Sequence, residues 1–308
     1  IHCASSINRE LIMARPEWYE RAIAAARIDA EVTVDDCKIH YATWGEIGKP
    51  GIVLIHGSNA HLEWWRFVAP FLADHFRIAA IDLSGNGDSG WRNNYTAEIF
   101  AKEGMAVTQH AELGDSPFIV GHSFGGYIAL ETGYIYGDQL GGVLFCDYVV
   151  PSPELFVQWG LSAAENGPAR PTKVYKNLDE ALGRFRLLPE QPCQHPYVIE
   201  YIAKQSLRKV DDGWTWKFDP SMYDYLEISS EQPDKLRSMP CPSAFVLGEY
   251  SDDYNSGSVA FTKQITEGKA PIYQIPGTYH HYMFDEPIAV YSAINGILLT
   301  WSSSSSLA

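Results

Sequence analysis

Residues 121–125 read Gly121-His122-Ser123-Phe124-Gly125, and this stretch decides the fold predicted for the chain. The apolar run PFIV precedes it, and the helix-like run GYIALET follows it. A strand, a sharp turn and a helix in this order are the setting in which a G-x-S-x-G turn holds its serine in strained backbone geometry. A side chain at either flanking position would clash there, which explains the two glycines. The pattern therefore predicts that the serine hydroxyl stands at a sheet edge, above a helix N-terminus.

Composition limits the class of protein and its partners. The chain has 308 residues, of which 46% are hydrophobic, enough for one large domain or a core with an inserted lobe. Its formal net charge of −15 would repel a nucleic acid or an anionic membrane, so neither is expected as a partner. No apolar run approaches the roughly 20 residues of a transmembrane helix. The first residues lack a basic segment followed by an apolar one, so no signal peptide is expected.

The cysteines, and the absence of phosphate-binding motifs from the sequence, limit the compartment and the cofactors that we expect. Five scattered cysteines, an odd number, favour reduced thiols in a cytoplasm over a disulfide framework. No C-x-x-C pair, P-loop or dinucleotide fingerprint occurs in the sequence. We therefore expect a cytoplasmic protein, a monomer or a homodimer, that needs neither a metal nor an organic cofactor.

Strands and helices alternate on both sides of the serine turn. A short helix is expected at 16–27 and a hairpin at 31–42, and continuous apolar strands at 51–55, 77–81, 117–120, 142–145, 243–247 and 271–275. Helices are predicted at 64–73, 97–113, 126–132, 259–265 and 288–301, with a frayed serine tail at 302–306. Continuous apolar runs indicate strands that are buried on both faces. The predicted fold class is therefore α/β, with a mostly parallel central sheet flanked by helices.

The alternation breaks between residues 151 and 238, which are rich in proline and aromatic residues. Helical patches near 178–185 and 197–210 predict a helical cap there. The sequence thus divides into a core, residues 1–150 and 239–308, and this cap.

The aromatic residues of the cap bear on the substrate. Any single one is expected to pack in the cap's own small core, but together they indicate a bulky apolar substrate. Trp159 and Trp214 of the cap and Trp64 of the core are the candidate substrate contacts. Asp211-Asp212-Gly213 is interpreted as a turn.

A serine hydroxyl needs a base, and the base needs an orienting acid. Two acids, Asp252 and Asp253, follow the predicted strand 243–247, and two histidines, His280 and His281, follow the last strand. The carboxyl ends of parallel strands meet at one edge of a sheet, so both loops are expected beside the serine. In one of the folds that contain a G-x-S-x-G turn, the serine, the acid and the histidine follow one another along the chain in this order.

Taken together, these motifs resemble the α/β-hydrolase superfamily, in its capped group of esterases, lactonases and C–C hydrolases. The resemblance covers about residues 30–150 and 240–300. Besides the serine turn, its marks are HGSN at 56–59, DLSGNGDS at 82–89, GEYSD at 248–252, and GTYH at 277–280 followed by DEP at 285–287. Asn86 departs from the family pattern, which commonly has histidine in a turn that is mainly structural.

The resemblance implies a triad of Ser123, Asp252 and His280. The family spacing from the histidine to the proline of the closing motif selects His280 over His281, and the G-x-x-x-D spacing selects Asp252. In some members the acid follows the sixth strand instead, which here would be Asp147.

An oxyanion hole requires two backbone N–H groups directed at the developing negative charge. Phe124, which follows the nucleophile, and Ser58, in the loop after the first long strand, are the candidates. His56 is expected to be structural, and His122 to pack beside the serine turn.

The identity of the nucleophile selects the reaction class. Epoxide hydrolases and haloalkane dehalogenases of this fold use a carboxylate where this chain has Ser123. A serine forms an acyl-enzyme, which predicts an ester, thioester, lactone or activated ketone as substrate. Within the family, the chain resembles esterases that open the macrolactone of macrolide antibiotics, which implies a role in antibiotic resistance. A meta-cleavage C–C hydrolase, a perhydrolase, and a small-molecule receptor without catalysis remain the alternatives.

Overall fold

An eight-stranded sheet forms the centre of the protein in a computed structural model that describes residues 15–158, 171–192, 194–252 and 257–305. The strands are β1 (Ile28–Val34), β2 (Cys37–Trp44), β3 (Gly51–Ile55), β4 (Arg77–Ile81), β5 (Phe118–His122), β6 (Gly142–Cys146), β7 (Leu207–Val210), β8 (Gly213–Trp216), β9 (Ser243–Gly248) and β10 (Ile272–Ile275). The order across the large sheet is β1-β2-β4-β3-β5-β6-β9-β10. Within this sheet, β2 pairs antiparallel with both β1 and β4, and the other pairs are parallel. β7 and β8 form a separate two-stranded antiparallel sheet. The predicted α/β fold class is confirmed.

Helices surround this sheet. They are α1 (Glu17–Ala24), α2 (Ala69–Leu72), α3 (Ala97–His110), α4 (Phe124–Tyr136), α5 (Leu178–Leu182), α6 (Pro196–Gln205), α7 (Met222–Tyr225), α8 (Gln232–Ser238), α9 (Ser258–Ile265), α10 (Tyr282–Asp285) and α11 (Pro287–Ser305), and residues 153–158 are also helical. Within the described ranges, no helix combines the length and the apolar character that crossing a bilayer requires.

Alternate residues of the central strands face two separate hydrophobic cores. In β3, Val53 and Ile55 belong to one core and Ile52 and Leu54 to the other, and all four side chains are fully buried. Burial on both faces explains the unbroken apolar runs of the sequence. The sheet is therefore a rigid base for the loops at its carboxyl edge.

Several predicted elements differ at their ends. The predicted helix at 64–73 is a 3₁₀ turn, Leu62–Trp65, followed by the short α2. The serine tail continues α11 as far as Ser305 instead of fraying. The β1–β2 hairpin turns at Asp35 and Asp36, both with positive φ, the conformation that a two-residue turn between twisted strands requires.

The predicted helical cap, residues 151–238, is not purely helical in its described part. Residues 207–210, predicted as the end of a helix, form β7, which pairs with β8 around the predicted turn. The turn ends at Gly213, where an added Cβ would lie 2.0 Å from the carbonyl oxygen of Tyr175. A small cluster, with Tyr175, Ala181 and Leu207 buried at its centre, holds the cap together.

The cap is fastened to the core through the turn at residues 82–89. The N–H of Gly87 donates to the carbonyl of Lys217 at 2.7 Å, and the N–H of Asp219 donates to the carbonyl of Gly85 at 2.7 Å. The Tyr95 hydroxyl donates to the Asp219 carboxylate at 2.7 Å. Gly85 and Gly87 both have positive φ, so this turn holds a backbone shape that presents its polar groups to the cap.

Candidate active site

Ser123 sits at the strained turn between β5 and α4. Its φ of 54° and ψ of −120° lie outside the regions that ordinary residues occupy. An added Cβ at Gly121 would lie 2.0 Å from the carbonyl oxygen of Gly125. One at Gly125 would lie 2.5 Å from the carbonyl oxygens of residues 55 and 56. The two glycines are therefore required for this geometry, as the sequence predicts.

The structure brings Ser123 and His280 together. Nε2 of His280 lies 2.9 Å from Oγ of Ser123, and its Nδ1 lies 2.5 Å from Oδ2 of Asp147. Asp147 is fully buried, whereas the His280 side chain is 12% exposed. A serine, an imidazole and a buried carboxylate in this sequence are the arrangement that activates a hydroxyl nucleophile.

The prediction that Asp252 contacts this histidine is wrong. Asp252 is exposed, and the acid at the imidazole is Asp147, directly after β6. The end of β9 and the loop after it donate hydrogen bonds to Asp147 and do not contribute the acid. The N–H of Gly248 donates to Oδ1 of Asp147 at 2.8 Å, and Oγ of Ser251 donates to Oδ2 at 2.6 Å. β6 adjoins β5 in the sheet, so its end lies beside the nucleophile. The other candidate acid, Asp253, lies outside the described residues.

Two further histidines lie behind His280. The ring of His122 contacts the carbonyl oxygen of His280 at 2.9 Å through Nε2, which helps to fix the loop that carries the base. Burial lowers the pKa of His122 to about 3, and it also lowers the pKa of His281 well below the usual value. Both rings therefore stay neutral, and neither competes for the proton of Ser123.

Asp285 holds the same loop from its far end. Its carboxylate accepts the N–H of Tyr279 at 3.0 Å and the side-chain amide of Gln191 at 3.0 and 3.1 Å. Burial raises the pKa of Asp285 to about 6. Gln191 also accepts the backbone N–H of His281 at 2.7 Å, so the cap and the histidine loop are joined here. No motif in the sequence includes Gln191, and GEYSD at 248–252 includes Ser251 without indicating its bond to Asp147, because both contacts join residues that are distant along the chain.

The two residues predicted for the oxyanion hole lie next to Ser123 in space or sequence. Phe124 is the first residue of α4, where helical N–H groups lack partners within the helix. Ser58 follows Gly57, where an added Cβ would lie 3.3 Å from the Cβ of Ser123. The turn after β3 is thus in contact with the nucleophile.

The tryptophans predicted to contact substrate are placed differently. Trp64 is only 7% exposed and packs against His281 and Phe284, with ring centroids 5.1 and 4.9 Å apart. Trp214 packs in the cap's own small cluster. Both placements favour a packing role over a substrate contact, while Trp159 lies outside the described residues.

Potential metal ligands approach one another at two places within the described ranges. His122, His280 and His281 form one group, and His40, Asp82 and Asp88 the other, with ligand atoms within 4.8 Å in each. Hydrogen bonds already engage both ring nitrogens of His280 and the Nδ1 of His40. The expectation of a protein without a metal stays a prediction.

Comparison with known proteins identifies the family. The chain matches the model of the alpha/beta hydrolase family over residues 52–294, and it therefore belongs to that family. The family and its esterase-like relatives support a hydrolase.

Individual relatives are distant. Esterase Rv0045c of Mycobacterium tuberculosis is 23% identical over 263 residues, which cover 83% of this chain and 85% of that protein. Lipase LipV of the same organism is 32% identical over 113 residues, 36% of this chain and 42% of that protein. The structure of E-2-(acetamidomethylene)succinate hydrolase superimposes with a TM-score of 0.73 at 20% identity, over 88% of this chain and 98% of that one. This structural likeness shows the fold.

Proposed function

We propose that the protein is a serine hydrolase that cleaves a carboxylic ester, lactones included, through an acyl-enzyme. The observation that carries this proposal is the chain of contacts from Ser123 through His280 to the buried Asp147. The strained serine turn and the neutral histidines behind it support the same conclusion.

Within this proposal, each residue of the site has a step. His280 Nε2 takes the proton of the Ser123 hydroxyl while Oγ attacks the carbonyl carbon of the ester. The N–H groups of Phe124 and Ser58 stabilise the resulting oxyanion. His280 then gives its proton to the leaving alcohol, and a water molecule that it deprotonates releases the acid from Ser123. Asp147 holds the imidazole in the required tautomer and stabilises its charged form.

Similarity to known enzymes supports an ester as substrate. An esterase and a lipase are among the curated relatives, and a pimeloyl-[acyl-carrier protein] methyl ester esterase is 29% identical over 97 residues, 32% of this chain and 36% of that protein. Epoxide hydrolase 4 of Homo sapiens is also similar, at 27% over 126 residues. The resemblance implies a carboxylate nucleophile for epoxide opening, so Ser123 favours the ester.

Among carboxylic esters, a macrolactone is the specific substrate that we propose, and the family resemblance supports it. The two described tryptophans predicted to contact substrate pack against other side chains instead, Trp64 in the core and Trp214 on the cap's small cluster. The cap still reaches the serine turn, since Tyr223 packs on Phe124. The proposal that Ser123, His280 and Asp147 cleave an ester therefore does not depend on the size of the substrate.

A covalent probe and a substrate panel test the proposal. A fluorophosphonate is expected to label Ser123, and Ser123→Ala is expected to lose both labelling and turnover of p-nitrophenyl esters. Erythromycin opened at its lactone would gain one water, about 18 Da by mass spectrometry. If short esters react and erythromycin does not, the esterase proposal stands without the macrolactone. If a dienone undergoes C–C cleavage faster than every ester, the ester proposal is wrong.

A further inference from the structure

The cap places a tyrosine over both residues of the oxyanion hole. The ring of Tyr223, in α7, packs edge-on against Phe124 with centroids 5.6 Å apart. Its hydroxyl lies close to the side chain of Ser58. Phe124 follows β5 and Ser58 follows β3, so one side chain of the cap lies against both residues that supply the proposed N–H donors. Tyr223 thus lies beside the two residues whose N–H groups are proposed to bind the carbonyl oxygen of a substrate.

The core holds α7 in place at several points. Met222, the neighbour of Tyr223, is fully buried, and its sulfur lies 3.5 Å from Nδ2 of Asn86. The Asp219 carboxylate accepts the N–H and the hydroxyl of Ser221 at 2.9 and 2.6 Å, in addition to the Tyr95 hydroxyl. Because these contacts fix both the start of α7 and its first turn, the Tyr223 side chain is positioned before substrate arrives.

The chemistry of the phenol fits a donor. Burial raises the pKa of Tyr223, so the phenol keeps its proton at neutral pH. A tyrosine oxygen accepts as well as donates. When the Ser58 hydroxyl donates to it, the phenolic proton is free to point at a substrate. The residue as a whole is 37% exposed, so part of its surface is accessible although its hydroxyl is buried.

We propose that Tyr223 is a third oxyanion-hole donor, whose hydroxyl hydrogen-bonds the substrate carbonyl oxygen as that oxygen becomes negative. The inference rests on the proposed function, because it requires attack on a carbonyl by Ser123. The phenolic proton stays on Tyr223 throughout, so the tyrosine stabilises charge without transferring a proton. Since the donor belongs to the cap, correct seating of the cap on the 82–89 turn becomes a condition for full activity.

Tyr223→Phe tests this inference because it removes one hydroxyl and keeps the ring against Phe124. We expect kcat/KM for p-nitrophenyl butyrate to fall about 100- to 1,000-fold, mainly through kcat, as with other single oxyanion donors. Affinity for an alkyl trifluoromethyl ketone, which forms a hemiketal oxyanion with the serine, should fall by a similar factor. Tyr175→Phe is the matched control: it removes a hydroxyl in the cap's own cluster and should leave both values within about twofold.

Three results would overturn the inference. The first is a Tyr223→Phe enzyme with unchanged kcat and unchanged ketone affinity. The second is a rise in KM alone, which would make Tyr223 a ground-state contact. The third is an equal loss in Tyr175→Phe, which would trace the effect to the packing of the cap. The Ser123→Ala variant distinguishes failure of the Tyr223 inference from failure of the proposed function. If Ser123→Ala retains turnover, the proposed function itself is wrong.

Discussion

Replacing Asp147 with asparagine tests the site most directly. The carboxylate accepts three hydrogen bonds, from Gly248 N–H at 2.8 Å, Ser251 Oγ at 2.6 Å and His280 Nδ1 at 2.5 Å. An asparagine oxygen can keep the bond from Gly248, which turns its NH₂ group toward Nδ1. Nδ1 must then accept, so the ring proton moves to Nε2, where a lone pair is needed to take the proton of Ser123. The side chain keeps its shape, but the base is lost.

We expect Asp147→Asn to lower kcat about 10⁴-fold, as the same change does in a chymotrypsin-type triad. This loss corresponds to about 5 kcal/mol of transition-state stabilisation. The assay is steady-state hydrolysis of p-nitrophenyl butyrate, with circular dichroism to confirm that the variant is folded. Asp252→Asn is the matched control and should retain activity within about twofold, because its side chain is exposed. If Asp252→Asn loses more activity than Asp147→Asn, the geometric assignment of the acid is refuted.

Two further predictions concern stability. Gly125→Ala should unfold at a markedly lower temperature and lose activity, because its Cβ would lie 2.5 Å from two backbone oxygens at the end of β3; Gly296→Ala, with open space around it, should be neutral or slightly stabilising. Burial lowers the pKa of His61 and of His122 to about 3, so the unfolded chain binds protons near pH 6.5 that the folded protein does not. Their contribution to stability is complete above pH 6.5 and declines as the pH falls toward 3, by about 2 kcal/mol for each histidine between pH 7 and pH 5. Urea unfolding at both pH values measures this loss, and a His61→Gln variant that shows the full wild-type drop would contradict it.

The sheet and the serine turn were predictable because local sequence determines them. The run of buried residues in β3 follows from packing on both faces of a parallel sheet. The glycines around Ser123 follow from a clash that any side chain would make. His280 was also predictable, because one short loop determines its spacing along the chain from the closing proline.

The acid was harder to predict because two strand ends meet at the same place. Both Asp147 and Asp252 follow strands that end at the active edge of the sheet, and spacing along the chain does not say which carboxylate turns inward. The deciding facts are three-dimensional: Asp147 has a positive φ and is fully buried, and its oxygens are satisfied by Gly248 and Ser251. The sequence feature that indicates Asp147 is its position directly after the apolar strand at residues 142–146.

The role of the turn at residues 82–89, predicted to be mainly structural, also depends on contacts that are distant along the chain. In three dimensions the turn also carries the cap, because the cap's backbone bonds to Gly85 and Gly87 and the Lys217 ammonium pairs with Asp88 at 2.7 Å. Asn86, the departure from the family pattern, is buried in this contact and faces Met222 of α7. A substitution at that position therefore acts next to the helix that holds Tyr223. It follows that variation in this turn would alter how the cap meets the oxyanion hole while leaving Ser123, His280 and Asp147 unchanged.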